Sequence, residues 1–198
     1  MYSILVEKPV SVKAGVCSVR NHIVAGSLTL LVPPALLRYN CSNPQKITTT
    51  RGIAMKNITC KLVTNDRELD AVLEVRRRVF VEEQGVSEDV EYDGLDDEAL
   101  HVIVKDGDRV IGTARVRFPA ANLAKVERMA ILRPFRRQGI GSSIMSFLDG
   151  ELKRRRIERA VLHAQSAVIG FYESCGFEKT GSPFWEAGIK HMEMQRQL

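Results

Sequence analysis

The segment from Lys125 to Ser143 constrains this chain more than any other. Lys125–Leu132 reads as a strand, Arg133–Gly141 as a tight basic turn with two glycines, and the residues after it as the opening of a helix. Pro134 helps to end the strand, because it has no N–H to give a neighbour. The helix extends from about Gly139 to Arg156, with Ile144, Met145, Leu148 and Leu152 as its apolar stripe. Beyond it, Arg159–Ala164 reads as a strand and 166–174 as a short helix, with two further strands around 177–180 and 188–194. Upstream, Ile58–Val63 is a strand. Asn65 caps a helix with Glu68 three residues on, and Leu69, Val72, Leu73, Val79 and Phe80 share its face. The strands Leu100–Lys105 and Arg109–Phe118 flank Asp106-Gly107-Asp108, a hairpin signal because Asp and Gly tolerate positive φ. Strands outnumber helices and helices fall between strands, which predicts a mixed α/β domain containing antiparallel hairpins.

The turn at 136–141 suits an anionic ligand. The first backbone N–H groups of a helix have no intrahelical acceptor, and the helix dipole places partial positive charge there. Gly139 and Gly141 remove Cβ atoms so that an anion can reach the backbone, and Arg136 and Arg137 add cationic donors. A dinucleotide fingerprint would need a third glycine where Ile144 stands, and the Gly-Lys-Ser/Thr of a nucleotide triphosphate loop is absent. What is left is Arg136-x-x-Gly139-x-Gly141 between a strand and a helix. About thirty residues on stands Ala164-Gln-Ser-Ala-Val-Ile-Gly-Phe171-Tyr172-Glu-Ser-Cys-Gly176-Phe177.

The first pattern closely resembles the coenzyme A pyrophosphate loop of the GNAT superfamily of N-acetyltransferases, and the second resembles that family's other signature, ending Phe-Tyr-x-x-x-Gly-Phe. The tail Phe184–Met194 and the upstream Arg76…Val79-Phe80-Val81-Glu82-Glu83-Gln84 are similar to a bacterial-type branch of the family. The resemblance covers roughly 56–196. It implies a strongly twisted mixed sheet of six or seven strands with about four helices, in which the strands at 126–132 and 159–164 splay apart and admit acetyl-CoA as co-substrate, with no metal. It further implies that the backbone of Met129, Ala130 and Ile131 pairs with the pantetheine arm in the manner of an added strand. The stretch Arg136, Arg137, Gln138, Gly139, Ile140, Gly141 and Ser142 would hold the pyrophosphate.

The implied reaction is direct transfer of an acetyl group to a small-molecule or peptide amine. A lysine-like amine has a pKa of about 10.4, so only about one in two thousand is neutral at pH 7 and a base must assist. Glu127, on the strand beside the thioester, is the expected base, with Glu83, Glu186 and His191 as rivals. Tyr172 matches the family tyrosine that protonates the departing thiolate, and the Met129 amide is placed to polarise the thioester carbonyl. His163 and His101 read as strand-end or solvated histidines, and Cys175 as a packing residue. The run from Glu82 to Glu98 has nine acids and no Lys or Arg. It reads either as a solvated loop or as an acceptor mouth, with Glu82 and Glu83 attracting a cationic amine. A catalytically silent CoA-binding sensor of the same fold is the alternative function. Homodimers are frequent in the family.

Charge divides the chain. Net charge is +5 over 198 residues, yet residues 1–54 carry six basic residues against Glu7 alone, so the rest is balanced. The excess of base therefore says little for nucleic-acid binding, and no aromatics interleave with Lys153–Arg156, which would instead complement a helix C-terminus. Residues 1–54 read as a basic, acid-poor extension: a targeting leader, a disordered segment, or sequence preceding a true start at Met55. Residues 55–198 form the predicted transferase domain. No run approaches eighteen apolar residues, so no membrane partner is expected. Cysteines at 17, 41, 60 and 175 lack Cys-x-x-Cys spacing and predict free thiols in a reducing compartment. The expected location is cytoplasmic, or an organelle matrix if the extension is a leader.

Overall fold

The computed structural model describes residues 57–198; the extension expected over 1–54 lies outside the described residues. Seven strands form one sheet in the order β1-β2-β3-β4-β5-β7-β6. They are β1 Ile58–Leu62, β2 Leu100–Asp106, β3 Arg109–Ala120, β4 Leu123–Ile131, β5 Arg159–Gln165, β6 Glu178–Glu186 and β7 Ile189–Gln197. All neighbours are antiparallel except β4 and β5, which the helix between them makes parallel. Four α-helices accompany the sheet: α1 Asp66–Arg76, α2 Glu88–Glu91, α3 Ile140–Arg154 and α4 Ile169–Ser174. No helix among the described residues is long and apolar enough to cross a membrane.

Local sequence explains most of these elements. The Asn65 side chain accepts the Glu68 N–H at 3.0 Å and starts α1. Glu68 does not complete the reciprocal box on Asn65; it accepts the Thr64 N–H and pairs with Lys61 and Lys105. Asn65→Ala is expected to lower unfolding free energy by about 1 kcal/mol in urea titrations, the usual worth of an N-cap. The β2–β3 turn is made by Gly107 and Asp108, and of the two only Gly107 has positive φ, at 60°. After α1 the chain widens into a π-helical stretch, Arg77–Glu82, in which the Glu83 N–H reaches back to the Arg78 carbonyl. Sequence periodicity gave no sign of it. β6 also runs through to Glu186, six residues beyond the strand expected from its pattern.

The centre of the sheet is covered on both sides. Val102, Ile103 and Val104 in β2, and Thr113 through Val116 in β3, are buried at consecutive positions, and strand side chains alternate between faces. One face carries α3 and α4. On β7, Arg196 lies opposite Ala160 and reaches Asp149 of α3 and the Cys175 carbonyl just after α4. The other face carries Arg115, which reaches the loop after α2. Pairing places Arg115, Arg117, Lys125, Glu127, Val161, His163, Gln165, His191 and Glu193 together on this second face.

Candidate active site

The parallel pairing of β4 with β5 runs only from Leu123–Arg159 to Val126–Leu162. There the strands part, and Glu127 and His163 are the first residues of each beyond the split. The cause is local to β4. Between the pairs Arg115–Glu127 and Thr113–Ala130, β4 has two residues, Arg128 and Met129, against one in β3, Ala114. This is a β-bulge, which bends a strand and takes backbone groups out of the ladder. Arg128 holds φ at 51°, left-handed and uncommon for a residue other than glycine. Glu127 and Arg128 therefore both face the α2 loop, whereas Met129 turns to the other face. There the Tyr172 hydroxyl of α4 lies 3.6 Å from its sulfur, with both side chains buried.

At the open end of β4 a single 3-10 turn, Arg133–Phe135, leads into the glycine loop. Arg137 and Gly139 take positive φ, 58° and 78°, and α3 begins at once with Ile140. Ser143 donates to the Gly139 carbonyl, but among the described residues the N–H groups of Gly139, Ile140, Gly141 and Ser142 find no backbone acceptor. Gly139 and Ser142 are exposed. The loop thus presents a row of amides at the head of a fifteen-residue helix. Arg136 has a different part from the one expected of it. Its Nε donates to the Ile131 carbonyl at 2.8 Å and its guanidinium pairs with Glu83 at 2.7 Å, so it braces the loop against β4 instead of standing free for phosphate. It also occupies the carbonyl of Ile131, a residue expected to pair with the pantetheine arm. Gln138 donates to the Pro134 carbonyl, and Arg137 is exposed.

The acidic segment divides: Glu88, Asp89, Asp97 and Glu98 are exposed, as in a solvated loop, whereas Glu91 is buried and Asp93 and Asp96 are half-buried. Arg76, Arg115 and Arg128 are all 0 % exposed, and its carboxylates neutralise them. Arg76 bonds Glu91 and Asp96, both at 2.5 Å. Arg115 grips Asp93 with two 2.7 Å bonds and reaches Asp96 and Glu127. Arg128 pairs with Glu91 and Asp93 and donates to the Val90 and Glu91 carbonyls. His101 holds the Asp96 carbonyl. Glu82 is paired with Arg77, as Glu83 is with Arg136, so neither expected acceptor-binding carboxylate is unengaged.

Glu127 fares poorly as a base. Burial alone would raise its pKa, but Arg117, Arg115 and Lys125 surround it and hold it well below the usual carboxylate range. A carboxylate so stabilised has little affinity for an amine proton. Cys175 is pushed up by burial and makes no nucleophile. Across the split, sequence reading passed over His163. Its Nδ1 lies 3.3 Å from Glu186 of β6 and its Nε2 3.8 Å from Glu193 of β7, and Phe184 packs edge-on at 4.9 Å. Phe184 also stacks on buried His191, whose Nδ1 bonds the Ile189 carbonyl. Gln165, two residues on, donates to Gln84 at the end of the π-helical stretch.

Residues 64–198 match the acetyltransferase (GNAT) domain family. The chain belongs to the GNAT superfamily. It is 36% identical over 141 residues to the uncharacterized protein YyaT of Bacillus subtilis, an alignment covering 70% of this chain and 95% of that one. A solved acyl-CoA N-acyltransferase from Pseudomonas aeruginosa superposes with a TM-score of 0.62 at 27% identity, over 70% of this chain and 97% of the other. A GNAT acetyltransferase from Elizabethkingia anophelis, solved with acetyl-CoA bound, shares the fold at a TM-score of 0.58 and 16% identity, over 71% and 98% of the chains. This enzyme is an N-acetyltransferase of the GNAT type.

Proposed function

We propose that this enzyme moves the acetyl group of acetyl-CoA to an amine by direct transfer, within a catalytic domain spanning 55–198. The observation that carries this reading is that β4 links three features: the gap where it parts from β5, the Tyr172 hydroxyl beside Met129, and the row of amides from Gly139 to Ser142 just after its end. The pantetheine arm lies along the edge of β4 that β5 leaves uncovered, its thioester at the bulge and its diphosphate at the head of α3. The Met129 amide polarises the carbonyl as the amine attacks, and the C–S bond breaks toward Tyr172, which protonates the sulfur. Glu127 serves as a fixed counter-ion that sets Arg115 and Arg117 beside the split. A fold neighbour that holds acetyl-CoA supports the choice of donor.

The test is thiol release from acetyl-CoA across a panel of small amines and peptide N-termini. Turnover on at least one acceptor is expected. Tyr172→Phe should lower kcat by about 100-fold, the low end for one positioned proton donor, with CoA affinity kept. Tight CoA binding without turnover on any amine would make the protein a sensor instead.

A further inference from the structure

We propose that His163, oriented by Glu186, takes the proton from the attacking amine; this rests on the transfer reading above and completes its proton path.

Position is the first argument. His163 and Glu127 are the first residues past the end of the β4–β5 pairing, and both lie on the face opposite α3 and α4. Met129 and Tyr172 belong to the other side of the bulge. An amine attacking the thioester carbonyl from the open face meets His163 and Glu127, while the sulfur leaves toward Tyr172. The two proton transfers are thereby separated in space: nitrogen loses its proton on one side of the sheet and sulfur gains one on the other.

Chemistry chooses between the two candidates on the acceptor side. Three cations bind Glu127, so protonating it would break ion pairs in a buried place. The surroundings of His163 have the opposite sign. The charged groups nearest it are Glu186 from β6 and Glu193 from β7; farther off on the same face stand His191 of β7 and Lys125 and Glu127 of β4. A carboxylate 3.3 Å from Nδ1 fixes the ring and stabilises the imidazolium that forms. Glu186 suits that role. Burial pulls its pKa up, but His163 more than offsets this, so it stays ionised. The His163 side chain is 20% exposed, so the imidazole is open to an acceptor.

The step balances. The amine nitrogen forms the C–N bond and gives its proton to His163; the C–S bond breaks with its electron pair on sulfur, which takes the Tyr172 proton. Solvent then takes up the proton held by His163 and restores that of Tyr172.

The experiment compares two acceptors of similar size on the full-length protein, a primary alkylamine and its O-alkylhydroxylamine analogue, which is largely neutral at pH 7. His163→Gln is expected to lower kcat on the alkylamine by at least about 100-fold and on the O-alkylhydroxylamine by less than about 10-fold, with acetyl-CoA affinity within about twofold by calorimetry. Glu186→Gln should lower the alkylamine rate about tenfold. The rate on the neutral O-alkylhydroxylamine should change by less than about threefold, as fits a residue that acts only through His163. Equal losses on both acceptors in folded His163→Gln protein, or an unimpaired alkylamine rate, would overturn the assignment and leave the transfer reading standing. Wild-type protein that binds acetyl-CoA yet acetylates neither acceptor nor any other amine would remove both.

Discussion

Arg76→Met is expected to lower the unfolding free energy by about 3–5 kcal/mol, a large part of the stability of an ordinary domain. The guanidinium is wholly buried and satisfies the Glu91 carboxylate, the Glu91 carbonyl and Asp96 at once. Methionine fills similar volume but leaves Glu91, itself 0 % exposed, with Arg128 as its remaining cation, and leaves Asp96 with Arg115. The comparison variant is the next residue along. Arg77 is also paired twice, with Glu74 and Glu82, but its side chain is 39% exposed, and in guanidinium chloride titrations of both variants Arg77→Met should lose far less than Arg76→Met. Similar small losses for both would mean that the buried network is not what fastens the α2 loop to the sheet. The network also predicts acid lability. Asp93, Asp96 and Glu127 each have burial outweighed by arginine and sit below their ordinary values. Their contribution is therefore complete above the unfolded-state pKa near about 4 and disappears as pH falls through the lower folded-state values. Glu91, raised mainly by burial, works the other way.

Gly139→Val is expected to weaken CoA binding by about tenfold or more while the protein stays folded. An added Cβ at Gly139 meets nothing within 4 Å, so the substitution creates no clash. The difficulty is conformational: φ is 78°, and a β-branched residue strongly resists that region. Valine would pull the backbone toward negative φ and turn the amides that open α3 away from a diphosphate. Gly139→Ala should fall between wild type and valine. Affinity measured calorimetrically, alongside a thermal melt that certifies folding, checks this. Equal affinity in a folded valine variant would count heavily against the loop.

Much of this was legible because it is local. The Asn65 cap, the apolar stripe of α3, and the strand–glycine–helix run at 125–143 each depend on residues within a few turns of one another. The turn at Gly139 was legible because its backbone, with φ at 78°, favours glycine; Gly141 already lies inside α3. The misreadings share the opposite property. Glu127 looked like a base because its strand partners were unknown. Arg115 and Arg117 come from β3, and the cross-strand register alone reveals that they bind it. Glu91, Asp93 and Asp96 looked solvated because the arginines they neutralise are scattered over α1, β3 and β4. His163 looked solitary because Glu186 is 23 residues away, and they meet only when β6 and β7 fold back along β5. Register is set by tertiary packing, so pairings of this kind leave no spacing signal in a single sequence.

The central claim is that the cleft between β4 and β5 receives acetyl-CoA with its diphosphate on the first amides of α3. The most direct measurement is an NMR titration of ¹⁵N-labelled protein with CoA, following individual backbone amides. The amides of Gly139, Ile140, Gly141 and Ser142 should move most, followed by those of the β4 bulge at Arg128 and Met129. Saturable binding that leaves these resonances in place while others shift, or no binding at millimolar CoA, would contradict it.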